Sequence, residues 1–282
     1  MRAAFKFDAN GRYTIQSLLG TGNSFTGSWD PTGVGTGAPT WDFRVRRLYG
    51  QAVPVDGLVL AAGSFDLIRG ETSETTNYDI DGFMQGYRGS LRRPHELYLD
   101  EVSVTVGYFG DLNTPNVFKR FKWMNDHNYT QAFAAKKLSK NLAISADWTS
   151  LQGISTLREG AKLGTKALVN VIDSVRFEFY QRVEGQTGNG AAFTAERALS
   201  KKVTVSGGLA TIDPNNGALN GDRYGRGKRY FASTVYAVVP ELTVGFFYTH
   251  AFANDFAVAN NQRLDLVVHY NVLKALQNHG AW

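Results

Sequence analysis

Val175-Arg-Phe-Glu-Phe-Tyr-Gln-Arg-Val-Glu184 is the stretch that decides the fold. Val175, Phe177, Phe179 and Val183 alternate with Arg176, Glu178, Tyr180, Arg182 and Glu184, a period of two that puts the two sets on opposite faces of an extended strand. A helix, with its period of about 3.6, would mix them around its circumference. The pattern recurs outward along the chain. Val102, Val104, Val106 and Tyr108 oppose Glu101, Ser103, Thr105 and Gly107, and Leu142, Ile144, Ala146 and Trp148 oppose Ser145, Asp147 and Thr149. Near the end, Leu264, Leu266, Val268, Tyr270 and Val272 oppose Arg263, Asp265, His269 and Asn271.

Turn-forming residues divide these segments. Short turns are expected at Val53-Pro-Val-Asp-Gly57, Pro94–Leu99, Ser139-Lys-Asn141, Ile172-Asp-Ser174, Ser200-Lys-Lys202 and Pro240-Glu241. Longer polar connections are expected over Gly22–Pro39, Gly70–Gly82, Asp111–Asp126, Leu151–Leu163, Gln186–Asn189, Asp213–Lys228 and Ala253–Asn261. Strands then start near Arg12, Trp41, Leu58, Phe83, Asp100, His127, Leu142, Leu163, Val175, Gly190, Val203, Arg229, Leu242 and Gln262. That makes about fourteen, with twelve or sixteen as alternatives if Ala3–Asp8 forms a strand of its own. No crossover helix interrupts the series, so an up-and-down antiparallel β-barrel is the simplest topology. No change of composition divides residues 1–282, which read as a single domain.

Composition supports this reading. The chain has no cysteine, 30 glycines and 13% aromatic residues, a balance that suits many short strands and turns. Its net charge of +5 is spread among nearly as many acids, so nucleic acid is not an expected partner. A soluble barrel would strand its mid-strand charges in a closed interior, whereas a wide wet lumen accepts them. The expectation is therefore an all-β, transmembrane antiparallel barrel with its oily face toward lipid and lipopolysaccharide. Aromatics near strand ends, Trp41, Tyr49, Phe109, Trp148, Phe193, Phe231, Tyr248 and Tyr270, are expected to form interfacial girdles. The start, Met1-Arg-Ala-Ala-Phe5, lacks an apolar leader, so an exported protein is expected to be represented here in processed form.

The hairpin Phe43-Arg-Val-Arg-Arg-Leu-Tyr-Gly-Gln-Ala-Val-Pro-Val-Asp-Gly-Leu-Val-Leu-Ala-Ala-Gly-Ser-Phe65 places arginines on one strand and ends in Gly-x-Phe. It resembles the hairpins of phosphate-selective and alginate-export-type porins of bacterial outer membranes. The resemblance implies passive diffusion of small hydrophilic solutes or ions, with no cofactor. Trp282 ends the chain on an aromatic, as such proteins commonly do, although Lys274–Ala281 does not continue the alternation.

With the oily faces in lipid, the lumen receives Arg12, Asp42, Arg44, Arg46, Asp66, Arg88, Arg92, Glu101, Asp147, Arg176, Glu178, Arg182, Glu184, Glu196, Arg263 and Asp265. Most would pair across strands, each solvated pair contributing under about 1 kcal/mol. Arg44, Arg46, Arg88 and Arg92 outnumber the nearby acids and are expected to favour anions modestly. Arg47 falls on the lipid face by strict alternation, so a bulge or an interfacial site is expected there. The basic stretches Lys119–Lys122 and Arg223–Arg229 are expected to be solvated loops, within reach of anionic lipopolysaccharide.

Enzymatic patterns are thin. His95, His127, His250, His269 and His279 have no metal-ligand spacing, and no Gly-x-Ser-x-Gly elbow or phosphate loop occurs. His269 and Asn271 share a face as a membrane lipase would want, but on the lumen side and without an identifiable serine. Tyr78-Asp-Ile-Asp-Gly82 offers oxygen ligands without EF-hand spacing, so no metal is assigned. A barrel plugged by its loops or by a partner, in a structural or adhesive role, is the alternative to a channel. Association of barrels with one another stays open.

Overall fold

The computed structural model describes residues 2–21, 43–77, 83–93, 98–108, 117–165, 170–184, 188–213, 227–252, 262–271 and 274–275. Fifteen strands run in chain order: β1 (Arg2–Lys6), β2 (Tyr13–Thr21), β3 (Phe43–Ala52), β4 (Leu58–Asp66), β5 (Phe83–Leu91), β6 (Glu101–Tyr108), β7 (Tyr129–Lys137) and β8 (Leu142–Leu151), then β9 (Ile154–Gly164), β10 (Ser174–Arg182), β11 (Asn189–Ala198), β12 (Val203–Ile212), β13 (Gly227–Val239), β14 (Leu242–Ala251) and β15 (Gln262–Tyr270). Each pairs antiparallel with its chain neighbours in one sheet. The connection between β6 and β7 carries a single helical turn, Val117–Arg120.

Fifteen strands stand where about fourteen are expected, because Arg2–Lys6 forms its own strand against β2. Among the described residues β1 and β15 are edges, and an odd number of antiparallel strands makes those edges run the same way. A further antiparallel pair between them would therefore not form directly. Barrel closure is thus not part of the described sheet.

One expected element is wrong. The strand placed at Leu163–Val171 is instead β9, Ile154–Gly164, inside what reads as a polar loop. Gln152 and Gly153 both take positive φ, 53° and 79°, and make a two-residue hairpin turn in register between Leu151 and Ile154. Gln-Gly lacks the Asn-Gly or Asp-Gly signal by which such turns are read, so the strand behind it was hidden. The connection expected to be long is the shortest on its edge of the sheet.

The opposite edge carries short turns whose donors are capped by side chains. Asp8 accepts from Tyr13 N at 3.0 Å and Asp173 from Ala198 N at 2.6 Å, while Ser139 Oγ accepts from Leu142 N and Ser200 Oγ from Val203 N. Asp100 accepts from Lys137 N at 2.6 Å and from Lys136 Nζ at 3.3 Å. The Lys137 amide, followed by Lys136, holds the Asp100 carboxyl below its ordinary pKa.

The distribution of side chains is inverted relative to a globular core. Phe177, Leu209 and Leu264 remain 54%, 54% and 71% exposed on one face, whereas Gln131, Asp147, Arg158 and Glu178 on the other are nearly inaccessible. We call the first face outer and the second inner. The inner face also holds an apolar patch, Tyr180, Ile212, Phe231 and Phe247, with the Phe231 and Phe247 rings stacked 6.4 Å apart. Phe231 therefore belongs to this patch and not to a girdle. Tyr49 also turns inward, its hydroxyl donating to Gln16 Oε1 at 3.2 Å.

Two outcomes check these turns. Gly153→Val should destabilise the β8–β9 hairpin by about 1 kcal/mol or more, because a β-branched residue resists left-handed backbone, read as a lowered denaturant midpoint. A carboxyl whose pKa is depressed on folding stabilises above its ordinary value of 3.8 and loses that contribution as pH falls through the folded value. Asp100→Asn should thus lower the midpoint at pH 7, and the gap to the unaltered chain should close only on acidification below that ordinary value.

Candidate functional site

After β4 the chain does not loop outward. Residues 67–77 cross the inner face of β7, β8, β9 and β10 and are held there by a polar network. Gly70 makes the approach feasible: its φ is +58°, and a Cβ would collide with Ser145 Oγ and lie 2.6 Å from Phe133 Cε2. Gly160 answers from β9, where a Cβ would stand 2.6 Å from the Glu71 carbonyl carbon. Between these glycines, Glu71 N donates to Ser145 Oγ at 2.7 Å and Gln131 Nε2 donates to Ile68 O at 2.9 Å.

Glu178 anchors the second half of the segment. Its Oε2 accepts from Ser73 N at 2.8 Å and Thr76 Oγ1 at 2.6 Å. Arg158 Nε donates to Thr76 O at 3.2 Å, and its Nη1 donates to Thr149 Oγ1 at 3.1 Å and stands 3.5 Å from Asp147 Oδ2. Asp147 Oδ2 also accepts from Thr149 Oγ1 at 2.7 Å and Gln131 Nε2 at 3.3 Å. The register produces this cluster directly, since Phe133, Asp147, Arg158 and Tyr180 stand opposite one another on four adjacent strands. Burying two charges is costly, and removing one partner of such a pair typically costs about 3–5 kcal/mol. The segment braces itself too: Asn77 Nδ2 donates to Thr72 Oγ1 at 2.7 Å, and Arg69 pairs with Glu74 at 3.7 Å.

A second charged group lies on β3–β5. The register of β2 and β3 shifts between Leu18 opposite Arg47 and Leu19 opposite Val45, leaving Arg46 as the extra residue of a bulge. This is the bulge expected from alternation, and Arg47 is buried and ion-paired with Asp66. Arg88 donates through Nη2 to Asp66 O at 2.6 Å and through Nε to Thr105 Oγ1 at 2.9 Å, with its guanidinium 4.5 Å from the centre of the Phe65 ring.

The remaining sequence-predicted residues are scattered. Arg12 pairs with Asp56 at 3.1 Å in exposed turns, off the strands. Arg92 donates to Glu101 at 3.1 Å, and Glu184 accepts from Ser155 Oγ at 2.9 Å. Arg263 and Asp265 pair with each other along β15 at 2.7 Å. Arg176 stands opposite Lys162 and Thr194, Arg182 opposite Thr156, and Glu196 opposite Ser174 and Ser206. Asp42, the side chains of Arg44 and Arg46, the acidic stretch 78–82 and the basic residues Arg223 and Arg226 lie outside the described residues. Of the sixteen predicted positions, Glu178 bonds directly to the inward segment, and Asp147 stands behind it through Gln131 and Arg158; Asp66 meets Arg88, Arg92 meets Glu101 and Arg263 meets Asp265.

Sequence reasoning missed Arg158, Gln131, Arg229 and the whole inward segment. Arg158 was hidden with β9. Arg229, read as part of a basic loop, is buried in β13 and donates to Thr249 Oγ1 at 3.2 Å. Gly70 was the one available signal for the segment, and a glycine in a polar stretch reads equally as a turn.

No protein-family model matches the chain, and no curated protein matches its sequence. Solved structures do match it. A mutant form of the porin of Rhodopseudomonas blastica covers 95% of this chain and 87% of its own length, with a TM-score of 0.56 at 11% identity. A second mutant form of that porin covers 95% and 86%, with a TM-score of 0.56 at 12% identity. This chain thus has the fold of a bacterial porin.

Docking of the segment is testable because the chain has no cysteine to interfere. A Ser73→Cys reporter should react slowly with a charged thiol reagent in detergent solution. Adding Gly160→Val should accelerate labelling roughly tenfold or more, as expected when about 1.4 kcal/mol of docking is lost; unchanged rates would mean that the segment is not held by the glycine contact.

Proposed function

We propose that the chain is an outer-membrane channel of the porin kind, through which small hydrophilic solutes or ions diffuse passively with a weak preference for anions. The observation that carries this reading is the inversion of the sheet: apolar side chains stay exposed on the outer face while charged ones are buried on the inner. In a bacterial outer membrane the outer face meets lipid and the inner face surrounds water. Residues 67–77, laid across the inner face, would narrow the passage beside Asp147, Arg158 and Glu178. The channel carries no chemistry of its own on this reading, and it needs no cofactor.

The lining is proposed as the set named from alternation, without Arg12, which sits in an exposed turn, and with Arg47 and Arg158 added. Arg44, Arg46, Arg88 and Arg92 are its anion-favouring members. Asp66 and Glu101 oppose them at close range, and salt screens exposed charges beyond about 10 Å at 0.1 M, so the preference is weak and fades with ionic strength. A barrel held shut by its inward segment is the second reading, favoured by the number of bonds that fasten the segment to Glu178 and Arg158.

Planar-bilayer recording separates the two. A channel gives stepwise conductance from the unaltered protein, whereas an occluded barrel conducts only after residues 67–77 are replaced by a short Gly-Ser linker. Ester hydrolysis in detergent would speak for a lipase instead. Replacing Arg44, Arg46, Arg88 and Arg92 by Gln should move the reversal potential in asymmetric salt toward cations. An unmoved potential rejects their role.

A further inference from the structure

Residues 71 and 73 of the inward segment lie over Gly160 and Glu178, which stand opposite each other on β9 and β10. One row nearer the short-turn edge, on the same inner face, Lys162 of β9 stands directly opposite Arg176 of β10. Like charges so opposed repel. Among the described residues neither side chain has an ion pair or hydrogen bond, and Arg176 Nε is shielded from solvent without an acceptor. The acids around them do not supply one. Glu178 takes Ser73 N and Thr76 Oγ1, Glu196 stands opposite Ser174 and Ser206, and Glu71 makes no ion pair with either cation. Small residues leave room beside the pair. Ala143 flanks Lys162 on β8, and Gly164 follows it on the same face of β9. On the other side Thr194 stands opposite Arg176, and beyond it the Phe231 ring covers Gly208, where a Cβ would lie 2.6 Å from Phe231 Cζ.

We propose that Lys162 and Arg176 form a binding site for a small, doubly charged oxyanion such as hydrogen phosphate, held between the ammonium and the guanidinium with the Thr194 hydroxyl as a further donor. The proposal rests on the reading that the inner face surrounds water, though not on whether the protein conducts. A dianion neutralises both members of the pair and turns one repulsion into two attractions. The planar guanidinium also takes two oxygens of one oxyanion side by side, a geometry that chloride cannot offer. Chloride offsets only one of the two charges. A cation adds repulsion, and a neutral solute leaves the pair as it was. Charge and shape therefore select the oxyanion, next to the segment that narrows the passage on the reading above.

The experiment is phosphorus NMR of inorganic phosphate titrated with the full chain in neutral detergent, at mildly alkaline pH where phosphate carries two charges. Saturable line broadening is expected. Sulfate should reverse it at a similar concentration, and chloride only at roughly tenfold higher concentration, the scale of one further charge pair near a protein surface. Lys162→Gln and Arg176→Gln should each abolish the broadening, and Arg176→Lys, which keeps the charge but not the planar grip, should weaken it. Lys201→Gln, in the exposed turn between β11 and β12, removes the same charge elsewhere and should leave it unchanged. A stability measurement separates this site from a structural contact. Lys162→Gln should raise the urea midpoint in phosphate-free buffer because the repulsion is gone, and phosphate should raise the midpoint of the unaltered chain but not that of the variant.

Broadening that survives both Gln variants, or that chloride reverses as readily as sulfate, overturns the proposal. So does a lowered urea midpoint on Lys162→Gln, which would make the lysine part of a structural contact. Absence of broadening overturns it too, and Lys162→Cys then shows which step failed. Rapid reaction with a charged thiol reagent would mean that the inner face is wet and only the site is wrong, whereas no reaction would mean that the watery inner face has failed with it.

Discussion

Everything in this protein hangs on the register of antiparallel pairs between strands adjacent in the chain. Side chains alternate with a period of two, so a slip of one residue in any ladder would carry its whole apolar set to the opposite face. The described ladders hold register with breaks only between Leu18 and Leu19 and between Ala237 and Val239. The first break is informative. Strict alternation would point Arg47 outward, and the extra residue at Arg46 turns it inward to Asp66. One inserted residue turns the guanidinium inward, where it is buried and pairs with the half-exposed Asp66 carboxylate.

The same register assembles the site. Asp147 and Arg158 face one another because the Gln152-Gly153 turn is two residues long, which fixes Leu151 opposite Ile154 and every pair behind it. Arg158 then reaches the carbonyl of Thr76, and Glu178, one strand further on, receives the amide of Ser73. Buried charges of this kind are tolerated only when their hydrogen-bonding capacity is met. The inward segment supplies part of what the wall needs, and the wall supplies part of what the segment's backbone needs. Each is incomplete without the other, which couples the position of the segment to the register of β7–β10.

The outer face follows a different rule. Its side chains need only be apolar, and exact packing counts for little where no second layer covers them. That freedom explains how large exposed side chains such as Leu264 and Phe177 coexist with floors of alanine on one face.

Much of the architecture was legible in the sequence by itself. Alternation in Val175–Glu184, Glu101–Tyr108 and Leu142–Thr149 placed those strands to within one or two residues and separated their faces correctly. Periodicity is a local property, so a local reading recovers it. The bulge near Arg47 was legible for the same reason, as a local conflict between a charge and its expected face. Only the tertiary structure decided the rest. The Gln152-Gly153 turn carries no strong turn signature, and β9 with Arg158 vanished into a polar loop. The path of residues 67–77 depends on Gly160, Glu178 and Arg158, which lie roughly 80–110 positions further along the chain and become neighbours only when ladder follows ladder in register. Local chemistry determined which residues face which way, and long-range contact determined which of them meet.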